Sequence, residues 1–174
     1  MYDTGSCVGE MTPMTHKLVV GVDGSKSSFA ALVQAADLAE QTDSQLSVVF
    51  VHDPGAVGAL AGTFDGSAEV YIEQNVEELE AMSRERAFDV LANRALTWTF
   101  DVAVGEAAHE LIDFAVQRDA AAIIVGGRGH SLLGGLVLGS IAQKLVRSSP
   151  ISVLVVRHPK VDARMLAEPQ PSAP

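Results

Sequence analysis

The sequence predicts an α/β fold: a single doubly wound, five-stranded parallel sheet with helices on both faces. Two observations carry that expectation. Short runs rich in Val and Ile recur along the chain, and they alternate with stretches whose apolar residues fall at steps of three and four. Several of the runs are apolar almost without interruption, which suits strands covered on both faces by helical crossovers.

Each element follows in order. Lys17 to Asp23 (KLVVGVD) is a β-branched run closed by Asp-Gly-Ser, so a buried strand leads into a turn. From Ser25 onward, Phe29, Leu32, Val33, Ala36 and Ala39 share one helical face, and that helix is expected to end near Glu40. Leu46 to His52 (LSVVFVH) is the second strand, stopped by Asp53-Pro54. Gly55, Gly58, Gly62 and Gly66 punctuate a connection that reads as a lid or a linker. From Glu69 to about Asn93, Ile72, Val76, Leu79, Met82, Phe88 and Leu91 mark an amphipathic helix. Its other face is acidic (Glu73, Glu77, Glu78, Glu80, Glu85), and such a face is ordinarily just solvated.

Leu96 to Val104 (LTWTFDVAV) alternates Trp98, Phe100, Val102 and Val104 with Thr97, Thr99, Asp101 and Ala103, which predicts a strand near a sheet edge. Gly105 opens a helix with Ala108, Leu111, Ile112, Ala115 and Val116 on one side. Ala121 to Val125 is the fourth strand. A Gly-rich loop follows, Ser140 is the expected N-cap of a short helix through Val146, and Ile151 to Val156 is the fifth strand. Residues 1–14 are expected to be a disordered leader, with Met11 and Met14 as alternative starts, and 161–174 a Pro-rich disordered tail. That leaves residues 15–160 as the domain.

Composition narrows the function. Apolar residues make up 48% of the 174, aromatic residues only 5%, so the core must be aliphatic. The charge balance, 12 minus 22 or −10, repels phosphate polymers and anionic bilayers, which disfavours nucleic acid and membrane partners. No stretch approaches the roughly 18 consecutive apolar residues of a spanning helix. The single Cys7 cannot close an internal disulfide and fits a reducing, cytoplasmic setting.

In doubly wound folds ligands sit at the carboxyl ends of the strands, near the switch in strand order. The residues there are Asp23-Gly24-Ser25, with Gly21 and Val22 just before them, then Val51 and His52, then the loop Gly126 to Ser140, in which 6 of 15 residues are Gly. Without Cβ atoms, backbone N–H groups can approach an anion, and a helix starting at Ser140 adds further N–H groups and a partial positive charge. The plainer reading is that these glycines only make tight turns. Spacing excludes two alternatives. A dinucleotide fingerprint needs G-x-G-x-x-G after the first strand, and a P-loop needs G-x-x-x-x-G-K-[ST]; neither is present.

The loop does read G-x2-G-x9-G-S, with Gly126, Gly129, Gly139 and Ser140 in the fixed places. This resembles the nucleotide-binding signature of the ATP-binding branch of the universal stress protein family. The first strand and turn (VVGVDGS), the end of the second strand (VVFVHD) and the last helix and strand (GSIAQKLVRSSPISVLVV) are also similar to that family, over about residues 15 to 160. The resemblance implies strand order 3-2-1-4-5, an adenine nucleotide alpha hydrolase-like architecture, and a nucleotide over the first, second and fourth strands. It places Asp23 by the adenine and ribose and Val51 main chain against the adenine. Gly126, Gly129, Gly139 and Ser140 would hold the phosphates, with Arg128, His130 and Ile141 beside them. Asp23 can equally serve the turn and cap the helix after it.

Two departures stand out. Gly127 replaces a Ser common in the family, and Phe50 replaces its usual His, with His52 two residues later. No G-x-S-x-G elbow or nucleophile with its base is visible, so binding of ATP with Mg2+, with at most slow hydrolysis or autophosphorylation, is expected over turnover. His109 and Asp113 lie one helical turn apart without an evident third ligand, and read as surface residues. A cyclic AMP-binding relative is the alternative. An ATP-pyrophosphatase or adenylylating enzyme fits less well, because Val22 to Ser28 lacks the motifs such enzymes carry after their first strand. The apolar last strand would form a sheet edge, and the resemblance implies a homodimer that pairs fifth strands.

Overall fold

The computed structural model describes residues 16–53, 67–127 and 138–157. The predicted flanks, the Gly55 to Gly66 connection and Arg128, Gly129 and His130 lie outside them. Five strands, β1 (Lys17–Val22), β2 (Gln45–His52), β3 (Trp98–Val104), β4 (Ala122–Gly126) and β5 (Ser152–Val156), form one sheet of order β3-β2-β1-β4-β5. Every pairing is parallel, with Val20 opposite both Val48 and Ile124 at the centre. Chain order therefore runs outward from β1 to β3, then restarts at β4 on the other side of β1. The carboxyl ends of β1 and β4 flank the gap that this switch creates.

Alternation along the strands divides the core into two layers. Leu18, Val20, Val48 and Ile124 face α1 (Lys26–Thr42) and α2 (Ser67–Leu91). Val19, Val49, Ile123 and Val125 face α3 (Ala107–Gln117) and α4 (Ser140–Ser148). The aliphatic composition shows in how α1 sits. Ala31, Leu32, Ala35, Ala36 and Ala39 are at most 1% exposed, so small side chains bring the helix axis close to the sheet.

Several boundaries differ from the sequence reading. The first helix continues to Thr42 and stops where Asp43 takes a left-handed conformation at φ 49°. The edge strand starts at Trp98, since the amide of Leu46 takes the carbonyl of Thr97 as the last bond before the ladder. On α2, Arg94 just past its end reaches Asp37 and Glu40 on α1, and Glu40 also accepts the Ala95 amide at 3.1 Å. The Asp37 hydrogen bond, with both carboxylates nearby, raises the Arg94 pKa against the opposing effect of burial. Ser83 of α2 is fully buried, and its hydroxyl has no hydrogen-bond partner among the described residues.

Candidate functional site

A cavity of about 260 Å3 opens at the carboxyl ends of β1, β2 and β4. Eight of the eleven residues chosen from the sequence line it: Gly21, Val22, Asp23, Val51, Gly126, Gly139, Ser140 and Ile141. The other three are Arg128, Gly129 and His130, outside the described residues. Ser25, in the turn that the sequence singled out, also lines it, and sequence reasoning missed Ser28, Val49, Val125, Ala107, Leu111 and Ala142, the rest of the described lining. The signal for some was available: once α3 and α4 share a sheet face, the first inward residues of each must point at the gap.

The β1–α1 turn is built from side-chain bonds. Asp23 Oδ1 accepts the Ser25 amide at 3.0 Å, and Ser25 caps α1 by accepting the Ser28 amide at 3.1 Å. Ser28 Oγ donates back to the Ser25 carbonyl at 2.9 Å. Asp23 thus has the turn-forming role the sequence allowed, and this turn fixes its carboxylate at the cavity wall. It is the one charged residue among the described lining.

Two glycines allow close approach. A Cβ on Gly21 would lie 2.9 Å from Leu111 Cδ1, so glycine there lets α3 close over the end of β1. A Cβ on Gly126 would lie 2.6 Å from the Ser27 carbonyl carbon, so the end of β4 rests directly on the first turn of α1. Gly127, where the family commonly has Ser, is tied on both sides. Its N–H donates to Val156 O at 2.7 Å and its carbonyl accepts the Gly139 N–H at 2.7 Å. Phe50, in place of the usual His, is buried in the α1 layer, whereas its neighbours Val49 and Val51 line the cavity. Alternation along β2 turns position 50 away from the site.

The helix starts differ in a way that matters chemically. Ser140 is not the N-cap expected for α4; Gly139 is, at φ −69° and ψ 162°, and it has no side chain to cap with. By contrast, Glu106 caps α3, accepting the Ala108 and His109 amides at 3.2 and 3.3 Å. Burial alone would raise the Glu106 pKa. The Lys144 hydrogen bond, the two amides and the Lys144 charge outweigh it and hold the carboxyl below its ordinary value. The start of α4 therefore turns first-turn N–H groups and a partial positive charge toward the cavity with no side chain of the cap on them. Val49, Val51, Leu111 and Val125 supply apolar wall to the same hollow. It therefore combines surface that suits a flat apolar group with N–H groups that suit an anion.

His109 and Asp113 pair at 3.4 Å on the exposed side of α3. Among the described residues no three His, Cys, Asp or Glu converge as a metal site, and no helix is long and apolar enough to cross a membrane.

The family model described as "Universal stress protein family" matches residues 14–157. Universal stress protein YxiE of Bacillus subtilis (strain 168) is 30% identical over 152 residues, spanning 83% of this chain and 100% of that protein. Universal stress protein UspA from Lactobacillus plantarum superposes with a TM-score of 0.67 at 22% identity, covering 82% of this chain and 98% of its own. A universal stress protein crystallised in complex with cAMP superposes with a TM-score of 0.56 at 26% identity, covering 82% and 97%. With a family model that spans all five strands, and a relative 30% identical over its entire length, the chain belongs to the universal stress protein family.

Proposed function

We propose that this protein binds an adenine nucleotide in the cavity at the β1/β4 switch, as a stress-response regulatory module with little or no turnover. The observation that carries the reading is the convergence, around one hollow, of all eight described residues chosen from the sequence, three of them fixed positions of the motif. Adenine lies against Val51, the ribose hydroxyls donate to Asp23, and the phosphates meet the uncapped start of α4 at Gly139, Ser140 and Ile141. Gly126, Gly129, Arg128 and His130 complete the phosphate end. ATP is the first ligand of choice, with Mg2+ held mainly by the phosphates and water. Binding without turnover is the reading adopted because the sequence carries no G-x-S-x-G elbow and no other signal that pairs a nucleophile with its base.

Cyclic AMP is the second reading. The observation favouring it is that the universal stress protein solved with cAMP is 26% identical to this chain. Titration calorimetry with ATP·Mg2+, and competition by cAMP, separates the two. Gly139→Glu places a carboxylate at the start of α4, and its expected effect is loss of binding of either ligand. Undiminished affinity in that variant refutes the site. We further propose a homodimer through the open edge of β5, where Leu154 is 43% exposed, and a cytoplasmic location, supported by the single cysteine. Light scattering that returns the 18.3 kDa monomer mass at micromolar concentration refutes the dimer.

A further inference from the structure

The cavity is ringed by a chain of ties. The Gly105 N–H donates to His52 O at 2.9 Å and fixes the start of α3 to the end of β2. On the far side, Gly139 N–H to Gly127 O and Gly127 N–H to Val156 O, both 2.7 Å, fix the start of α4 to the end of β5. Between the two helices the backs are joined by apolar packing, with Ala108, Leu111, Ala142 and Leu145 in one buried cluster. Among the described residues, one ion pair also spans them: Lys144 Nζ donates to Glu106 Oε2 at 2.7 Å.

This contact differs from the other ties in being made by side chains and by opposite charges. Glu106 is anchored independently of Lys144 by the two amides it caps, so the carboxylate is a fixed post at the start of α3. Lys144 stands one turn beyond Ser140, and helical side chains lean back toward the N-terminus, which carries its ammonium to that post. The residues immediately beside the pair, Ala107 on α3 and Ser140 and Ile141 on α4, line the cavity. We infer that the Glu106–Lys144 pair is a clip that sets the separation of the α3 and α4 N-termini, and hence the width of the cavity between them. Lys144 is thereby a positioning residue for the cavity's ligand. The ligand clause rests on the nucleotide reading; the clip itself does not.

The test uses two measurements on the full chain. For the first, Cys7 is replaced by Ser, spin labels are placed at the exposed His109 and Arg147, and the distance distribution between them is recorded without ligand. The narrow distribution of the parent is expected to broaden in Lys144→Met and to be restored in Lys144→Arg. For the second, ATP and cAMP affinities are compared. Lys144→Met and Glu106→Gln each weaken binding roughly threefold to fivefold, the range of an exposed pair, and the double variant is no weaker than either alone. Glu106→Gln keeps one of the two oxygens that cap α3 and loses the other with the charge, so Lys144→Met, which leaves both caps in place, is the variant that isolates the ion pair. An unchanged distribution in Lys144→Met overturns the clip. A broadened one with unchanged affinity overturns the positioning role. If the parent binds neither nucleotide, the nucleotide reading and the positioning role fall together while the distance measurement still decides the clip.

Discussion

Adjacent glycines at 126 and 127 should respond very differently to the same methyl group. In Gly126→Ala the new Cβ starts 2.6 Å from the carbonyl carbon and hydroxyl of Ser27, whereas ordinary contact begins near 3.4 Å. About 0.8 Å of separation must therefore appear between the end of β4 and the first turn of α1. The hydroxyl can rotate away, but the carbonyl carbon and oxygen of Ser27 are main chain, so no rotamer change supplies the whole of it. Moving α1 instead disturbs Ala31, Leu32 and Ala35, all fully buried. Overpacking of this kind costs about 2–3 kcal/mol. For a chain of this size that lowers Tm by roughly 5–10 °C. At Gly127 the nearest atom to an added Cβ is Val156 O at 3.3 Å, which a shift of a few tenths of an ångström relieves. Gly127→Ala should cost under about 1 kcal/mol. Paired urea and thermal unfolding followed by circular dichroism measures both. Equal midpoints for the two variants, or a Gly126→Ala midpoint within about 1 °C of the parent, would refute the close-approach argument.

Other outcomes follow from buried groups and from the α3 cap. Leu32→Ala removes a fully buried side chain between α1 and the sheet and is expected to cost about 2–5 kcal/mol in urea unfolding. Ser83→Ala removes a buried hydroxyl that has no partner in the described structure, so it should raise stability by about 0.5–1 kcal/mol, read as a higher urea midpoint. Glu106 has its folded-state pKa below the unfolded value of about 4.3. Its contribution is therefore complete above that value and is lost as pH falls through the folded pKa. Glu106→Gln should flatten the stability profile below about pH 4.5 while changing its shape little at neutral pH; an unaltered acid limb would count against the cap and ion pair.

Much of this molecule was legible before any coordinates. The buried β-branched runs KLVVGV and LSVVFVH became the central strands, because sheets covered on both faces leave no polar positions to confuse the pattern. The alternation at Trp98, Phe100, Val102 and Val104 correctly marked an edge strand. What local pattern does not encode is proximity across the chain. Ser27 beneath Gly126, and Leu111 beneath Gly21, are contacts between elements about a hundred residues apart. Arg94 with Asp37 and Lys144 with Glu106, 57 and 38 residues apart, are equally invisible to local pattern. The misassigned cap has a different cause. Ser140 has the right chemistry for an N-cap, but Gly139 already holds the extended conformation that precedes a helix, and its amide is engaged by Gly127.

Gly127 is bonded through both of its main-chain polar groups. Its nitrogen is committed to the last residue of the outermost strand, and its oxygen to the residue that precedes α4. The rim of the sheet and the start of α4 are thus two hydrogen bonds apart, through the two peptide planes that meet at one Cα atom. A displacement of Val156 by anything docked along that rim would pull on Gly127 and, through it, on Gly139. Were the proposed dimer and the proposed ligand both to form, their effects would meet at this residue.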